Sequence, residues 1–263
     1  PTLFPYTTLF RSAGGVTTEV AHGIGTITFF HPLSNSLPGG VLSALVDAVR
    51  AAGTHPEIRV VVLQSAGEKV FCGGASFDEL STIADAATGD RFFMGFANVI
   101  NALRTCPKLV IGRIQGKAVG GGVGLASSVD YCLAHSSASV KLSELAVGIG
   151  PFVVGPAVER KVGLSGMSQL AIDATRFRGA EWAEKHGLYA EVFDTHAELD
   201  AAVAELAQRL ASSSPEAMAD LKRVLWQGTE HWDELLPERA AISGRLVLSD
   251  FTKNAIAAFK SKG

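Results

Sequence analysis

The sequence predicts an α/β fold of repeated strand-strand-helix units followed by a C-terminal helical region, and three observations carry the prediction. The β-branched runs Arg59-Val60-Val61-Val62-Leu63 and Leu109-Val110-Ile111 read as buried strands. Each precedes a Gly-rich segment, Phe71-Cys72-Gly73-Gly74-Ala75-Ser76-Phe77 and Gly116-Lys117-Ala118-Val119-Gly120-Gly121-Gly122, so glycine falls where a buried strand ends and backbone can approach a ligand. After about Ala197 strand patterns stop and helical periodicity takes over.

Val16–Val20 and Gly25–Phe30 alternate around a His22-Gly23 turn, which predicts a hairpin. Pro38 opens an amphipathic helix in which Val41, Leu42, Leu45, Val46 and Val49 share a face, with Gly53 as its stop. A strand over 59–64 comes next. Asp90–Cys106 reads as a helix with Phe92, Phe93, Phe96, Val99, Ile100 and Leu103 on one broad apolar face. A strand over 109–113, a Gly-led helix over 120–129 and strands near Tyr131–Ala134 and Ser139–Leu142 continue the rhythm. The late helices are Leu199–Leu210, Pro215–Gln227, Trp232–Leu248 and Asp250–Lys260, and their Leu, Trp and Phe content must be buried against the core or another subunit.

With 263 residues and 47% hydrophobic content, the chain is long enough for one large core with a helical appendage. A net charge of −3 argues against a general nucleic-acid binder, and no apolar run reaches the length of a membrane span. Three cysteines, Cys72, Cys106 and Cys132, lack metal-ligand spacing and read as reduced thiols of a cytoplasmic protein. Residues 1–12 are expected to be non-native. Thr2–Ser12 is the translation of DNA resembling a common sequencing adapter, and the segment is excluded from fold reasoning. The expected organisation is therefore 1–12 appended, 13–197 an α/β core and 198–263 helical.

Two backbone N–H groups facing each other from the Gly segments would make an oxyanion hole. The run Gly120-Gly121-Gly122 lacks a following Gly-Lys-Ser/Thr and fails Gly-x-Gly-x-x-Gly, because Leu125 holds the sixth position. Tight helix-on-sheet packing alone would explain one or two glycines more easily than three. Glu144 follows Val140-Lys141-Leu142 and precedes Leu145-Ala146-Val147; apolar surroundings would raise its pKa and suit proton transfer, while the alternative is a first-turn glutamate with Ser143 as cap. The seven histidines show no i,i+4 pair and Gly-x-Ser-x-Gly is absent, so metal and serine-hydrolase mechanisms fall away.

His31-Pro32 with Asn35-Ser36-Leu37, both Gly segments, Ser143-Glu144 with Gly148-Ile149-Gly150-Pro151 and the late helices occur in the order found in the enoyl-CoA hydratase/isomerase (crotonase) superfamily, which the chain resembles from about Val16 onward. The resemblance implies a crotonase-like spiral of strand-strand-helix units. It also implies that the amides of Ala75 and Gly121 hold the oxygen of an acyl-CoA thioester and that Glu144 moves a proton. Leu33, Ser34, Gly73, Ser76, Phe77 and Lys262 fall at CoA-contacting positions, with Lys260 a second lysine near the phosphates. Phe93 and Phe96 border the acyl region. Ser76 replaces the acidic residue usual after the first Gly-Ala, and Gly124 replaces one of the two glutamates usual in hydratases.

The resemblance thus implies an enoyl-CoA isomerase or hydratase of fatty-acid metabolism, an isomerase by preference because one carboxylate suffices for a proton shuttle. Rival expectations are an enoyl-CoA hydratase of fatty-acid or branched-chain acid breakdown, working through Glu144 or a carboxylate such as Asp78 or Glu79, and a non-catalytic binding subunit. Coenzyme A enters as part of the substrate, with no permanently bound cofactor, no metal, no nucleic acid and no membrane. The late helices would build a homotrimer or dimer of trimers.

Overall fold

The computed structural model describes residues 14–261; the appended segment expected at 1–12, and Lys262, lie outside the described residues. The chain begins with a hairpin, β1 (Gly15–Ala21) and β2 (Ile24–Phe30). Its two turn residues, His22 and Gly23, both have positive φ, the backbone sense that matches the twist of paired strands. Helix α1 (Gly39–Thr54) comes next, with Pro38 at its N-cap.

Three units then repeat one order of long strand, short strand and helix. The first is β3 (Val60–Ser65), β4 (Val70–Cys72), the single turn α2 (Phe77–Leu80) and α3 (Ala86–Thr105). Next come β5 (Leu109–Ile114), β6 (Lys117–Val119) and α4 (Gly121–Ser128). The third is β7 (Tyr131–His135), β8 (Ser139–Lys141), a 3₁₀ turn at Leu145–Val147 and α5 (Gly155–Ile172). The short β9 (Arg178–Gly179), α6 (Ala180–Lys185) and β10 (Glu191–Phe193) lead into α7 (His196–Ala211), α8 (Pro215–Leu225), α9 (Trp232–Leu246) and α10 (Asp250–Lys260).

Long strands form a six-stranded sheet in the order β1-β2-β3-β5-β7-β10, and short strands form a four-stranded sheet, β4-β6-β8-β9. Both faces of the larger sheet are covered, which is why β3 is an unbroken apolar run rather than an alternating one. Ile27, Phe29, Val61, Leu63 and Val110 face the main core, while Val60, Val62, Leu109, Ile111 and Leu133 pack under Leu199, Val203 and Ala207 of α7. No helix among the described residues is long and apolar enough to cross a membrane.

The structure corrects three expectations. The Gly segments do not directly follow the β-branched strands; β4 and β6, too short to show periodicity, stand between them. Helix α1 runs through Gly53 to Thr54, and α3 starts at Ala86 rather than Asp90 because Asp85 caps it, Oδ1 accepting the Thr88 N–H at 2.8 Å. The late helices dock largely on their own chain, with Trp226, Trp232 and Leu236 in the main core, whereas Phe251 and Phe259 of α10 stay exposed rather than buried.

That attachment runs through a buried carboxylate. Asp130 Oδ2 accepts the Val110 N–H at 2.7 Å and the Lys222 ammonium at 2.8 Å, and Oδ1 accepts Trp226 Nε1–H at 2.6 Å. Lys222 also donates to the Leu103 carbonyl at 2.8 Å, so α8 is tied to the core by ionic and backbone bonds together. Lys222→Met leaves Asp130 buried without its counter-ion. The expected loss is about 3–5 kcal/mol of unfolding free energy, measured by urea denaturation.

Candidate active site

Strands β4, β6 and β8 lie side by side and parallel, Cys72 paired with Ala118 and Ala118 with Val140. At about 4.8 Å between strands, this register delivers three chain exits to one place: Gly73-Gly74-Ala75 after β4, Gly120-Gly121 after β6 and Ser143-Glu144 after β8. Gly73, Ala75, Phe77, Phe93, Phe96, Gly121 and Glu144 all line one cleft of about 570 Å³, its open mouth included. A cleft at the C-terminal ends of parallel strands is where such sheets offer ligand sites.

The amides come from two different local structures. Leu37 N–H donates to the Gly74 carbonyl at 2.8 Å and forms a parallel bridge with Ala75; a residue paired this way keeps its own N–H directed away from the partner strand. Gly121 is the first residue of α4, where a helical N–H has no intrahelical acceptor. The two segments touch: a Cβ on Gly74, whose φ is +88°, would lie 2.7 Å from the Val119 oxygen and 3.6 Å from the Gly121 nitrogen. Phe96 packs on Gly121 so closely that even a methyl there would collide with its ring.

Glu144 follows both Gly segments in the chain and lines the same cleft. A Cβ on Gly120 would meet its Oε1 at 3.1 Å. Its Oε2 is buried without a hydrogen-bond partner, and this desolvation pushes the carboxyl up to about 7, against a smaller downward pull from its own backbone N–H. The alternative of a helical glutamate capped by Ser143 is not what forms: Glu144 itself takes the cap position of the 3₁₀ turn, with no side-chain capping bond.

Neither proposed second carboxylate reaches the cleft. Asp78 pairs with Lys260 at 2.8 Å, and Glu79 accepts the Gly39 N–H at 2.7 Å, capping α1. At Gly124 a Cβ would lie 2.5 Å from Val154 Cγ1, and Val154 itself lines the cleft. An apolar branch thus stands against the position at which the resemblance implies a second glutamate in hydratases.

The remaining sequence-derived positions divide. The Ser34 carbonyl accepts the Gly73 N–H at 2.8 Å, holding the Leu33-Ser34 loop against the first Gly segment, and Leu33 is 57% exposed beside it. Phe77 lines the cleft and stacks edge-on with Phe259 of α10 at 4.5 Å. Ser76 is buried and its hydroxyl accepts the Glu79 N–H, so its side chain caps α2 instead of facing the cleft. Sequence reasoning missed Phe152, Val154 and Ser243, which also line the cleft; Ser243 arrives on α9, and nothing in its local sequence marks it.

The raised pKa has a thermodynamic consequence. Because the folded state holds the Glu144 proton more tightly than the unfolded chain, this group's contribution is full below about 4.5 and is lost as pH rises through about 7. Glu144→Gln, neutral throughout, should match the parent near pH 4 and exceed it above pH 7. The gain should be at most about 3 kcal/mol, read by thermal melts across pH.

The family described as enoyl-CoA hydratase/isomerase matches residues 19–261. A peroxisomal Delta(3,5)-Delta(2,4)-dienoyl-CoA isomerase of Arabidopsis thaliana is 30% identical over 227 residues, covering 80% of each chain. The mitochondrial methylglutaconyl-CoA hydratase of Homo sapiens is 32% identical over 200 residues, 74% of this chain and 58% of that one, so the chain spans little more than half of that relative's length. The crystal structure of an enoyl-CoA hydratase from Mycobacterium avium subsp. paratuberculosis K-10 superposes with a TM-score of 0.82 at 25% identity, covering 94% of this chain and 96% of that one. Sequence match and fold agree over nearly all the described residues, and the chain belongs to the enoyl-CoA hydratase/isomerase (crotonase) family of enzymes.

Proposed function

We propose that the protein is an enoyl-CoA isomerase that moves a double bond through a thioester enolate. The amides of Ala75 and Gly121 donate to the thioester oxygen, and Glu144 removes a proton from C2 of a 3-enoyl-CoA. The electron pair of that C–H bond becomes the enolate; on its collapse the double bond shifts to C2–C3 and C4 takes the proton back from Glu144. No water is consumed, and one carboxylate serves both steps. Gly73, Phe77, Leu33 and Ser34 are the groups read as meeting the CoA portion, with Phe93 and Phe96 along the acyl chain.

The observation that carries this reading is that Glu144 is the one carboxylate among the described residues lining the cleft, and its pKa near 7 lets it accept and return a proton at neutral pH. Hydration would need a second group to hold and polarise water, and Val154 stands against Gly124 where that group would be. The second reading, hydration of a 2-enoyl-CoA by Glu144 alone, is favoured by relatives such as the methylglutaconyl-CoA hydratase.

Turnover of a 3-enoyl-CoA and a 2-enoyl-CoA in parallel separates the two. Isomerisation should dominate, with kcat/KM rising as pH passes through about 7 while the carboxylate ionises. Glu144→Gln should lower kcat by at least about 10²-fold while acyl-CoA still binds. Faster hydration than isomerisation would overturn the preference.

The reading extends to assembly as a homotrimer or dimer of trimers. It is supported by the apolar face that α8 leaves uncovered, with Leu221 50%, Val224 61% and Leu225 49% exposed. Sedimentation should show a trimer or hexamer at micromolar concentration; a stable monomer would contradict it.

A further inference from the structure

A buried polar side chain stands beside the first Gly segment without lining the cleft. Asn35 is 7% exposed, and its whole amide is engaged by backbone. Nδ2 donates to the Ala66 carbonyl at 2.8 Å and to the Val70 carbonyl at 2.9 Å, while Oδ1 accepts the His31 N–H at 3.0 Å. One side chain thereby joins the residue after β2, the turn after β3 and the first residue of β4. A carboxamide suits the task because it is neutral and carries donors and an acceptor at once. The bonds hold backbone that other residues avoid: φ is +54° at Ser34 and +51° at Asn35, a left-handed region that Asn tolerates better than most side chains. Such strain persists only where the surroundings enforce it.

What this strained turn holds is the chain leading to the Ala75 amide. The Ser34 carbonyl accepts the Gly73 N–H at 2.8 Å, the Leu37 N–H donates to the Gly74 carbonyl at 2.8 Å, and Leu37 forms its parallel bridge with Ala75. Residues 34–37 therefore run beside the first Gly segment as an added strand. The fit is close enough that a Cβ on Gly73 would lie 2.9 Å from the Ser34 oxygen. The chain is gripped at two points: the Asn35 side chain takes Val70 at the start of β4, and the backbone flanking Asn35 takes Gly73 and Gly74 about 10 Å further along. A shift of Asn35 disturbs both.

Resting on the acyl-CoA reading, we propose that Asn35 is a positioning residue for the reaction: by locking residues 34–37 to β4, it holds the Ala75 N–H where negative charge develops on the thioester oxygen. Asn35 itself touches no reacting atom. Its influence falls on the transition state more than on substrate affinity, because a slightly displaced donor still meets a neutral carbonyl adequately but loses much of its hold on an enolate oxygen. The Gly121 amide is fixed separately, by α4 and by the Phe96 ring, so loss of Asn35 weakens one donor of the two.

The test separates ground-state binding from enolate stabilisation. Butanoyl-CoA reports the first, and acetoacetyl-CoA, whose enolate has its own ultraviolet band, reports the second. The full chain is compared with Asn35→Gly, which leaves positive φ accessible while removing the side-chain bonds, and with the milder Asn35→Ser, each well below its Tm. The native chain should lower the pH at which the enolate band appears relative to free acetoacetyl-CoA. Asn35→Gly should raise that midpoint by about one unit and lower kcat for a 3-enoyl-CoA about tenfold, with butanoyl-CoA affinity changed less than about twofold. Asn35→Ser should move both in the same direction, and its midpoint decides the matter if Asn35→Gly does not fold. A lower Tm with midpoint and kcat unmoved would overturn the role of Asn35 while leaving the isomerase reading standing. Equal losses for the two thioesters would overturn it as well, placing Asn35 in CoA binding instead. A native chain that binds neither thioester would overturn the acyl-CoA reading and this assignment with it.

Discussion

At Gly74 a side chain would meet the Val119 carbonyl at 2.7 Å, and at Gly122 one would meet the Cys72 carbonyl at the same distance. These close backbone approaches between the chain leaving β4 and the chain leaving β6 govern the geometry of the whole cleft. Side-chain donors could be re-aimed by a rotamer change, whereas backbone amides move only if the strands move. The parallel pairing of β4, β6 and β8 sets where both amides stand, and it also sets where Glu144 enters. Gly74 tolerates φ of +88° without the Cβ penalty that other residues would carry.

Glu144 illustrates how the same packing tunes chemistry. In water its carboxyl would ionise well below neutrality, but with Oε2 buried and unpartnered the charged form loses more solvation than the residue's own backbone N–H restores. Buried carboxylates held for stability usually have such donors, as Asp130 does with Val110, Lys222 and Trp226. Asp130 is thus met by donors on both oxygens, whereas the second carboxylate, Glu144, has Oε2 left without one. The folded chain tolerates the second because the penalty is confined to one group and is lifted whenever that group holds a proton.

The C-terminal helices serve the cleft as well as the fold. Helix α9 crosses α3 at Gly89 and Gly244 and brings Ser243 to the cleft, while α10 returns to the first Gly segment's helix through the Phe77–Phe259 contact and the Asp78–Lys260 pair. Their buried aromatic residues fasten them to the chain they belong to. The Leu221, Val224 and Leu225 side of α8 stays uncovered, as do Phe251 and Phe259 of α10.

Much of the architecture was legible from the sequence alone because strong periodicity reports burial directly: the hairpin, α1, β3, α3, β5 and the late helices each show a buried face. Helix α5 was not legible, since it contains interior glycines and breaks helical geometry at Gly163, where φ is 69°, leaving no clean apolar stripe. The strands β4 and β6 are three residues each, too short for any period to register. The ordered Gly segments and Glu144 could be named from residue order. That they share one cleft depends on a strand register that no local pattern encodes. Likewise the sequence supplied a glycine at 124 and a serine at 243. Only tertiary packing decided that Val154 covers the first and that the second reaches the cleft, because both are contacts between distant helices set by how closely backbones can approach.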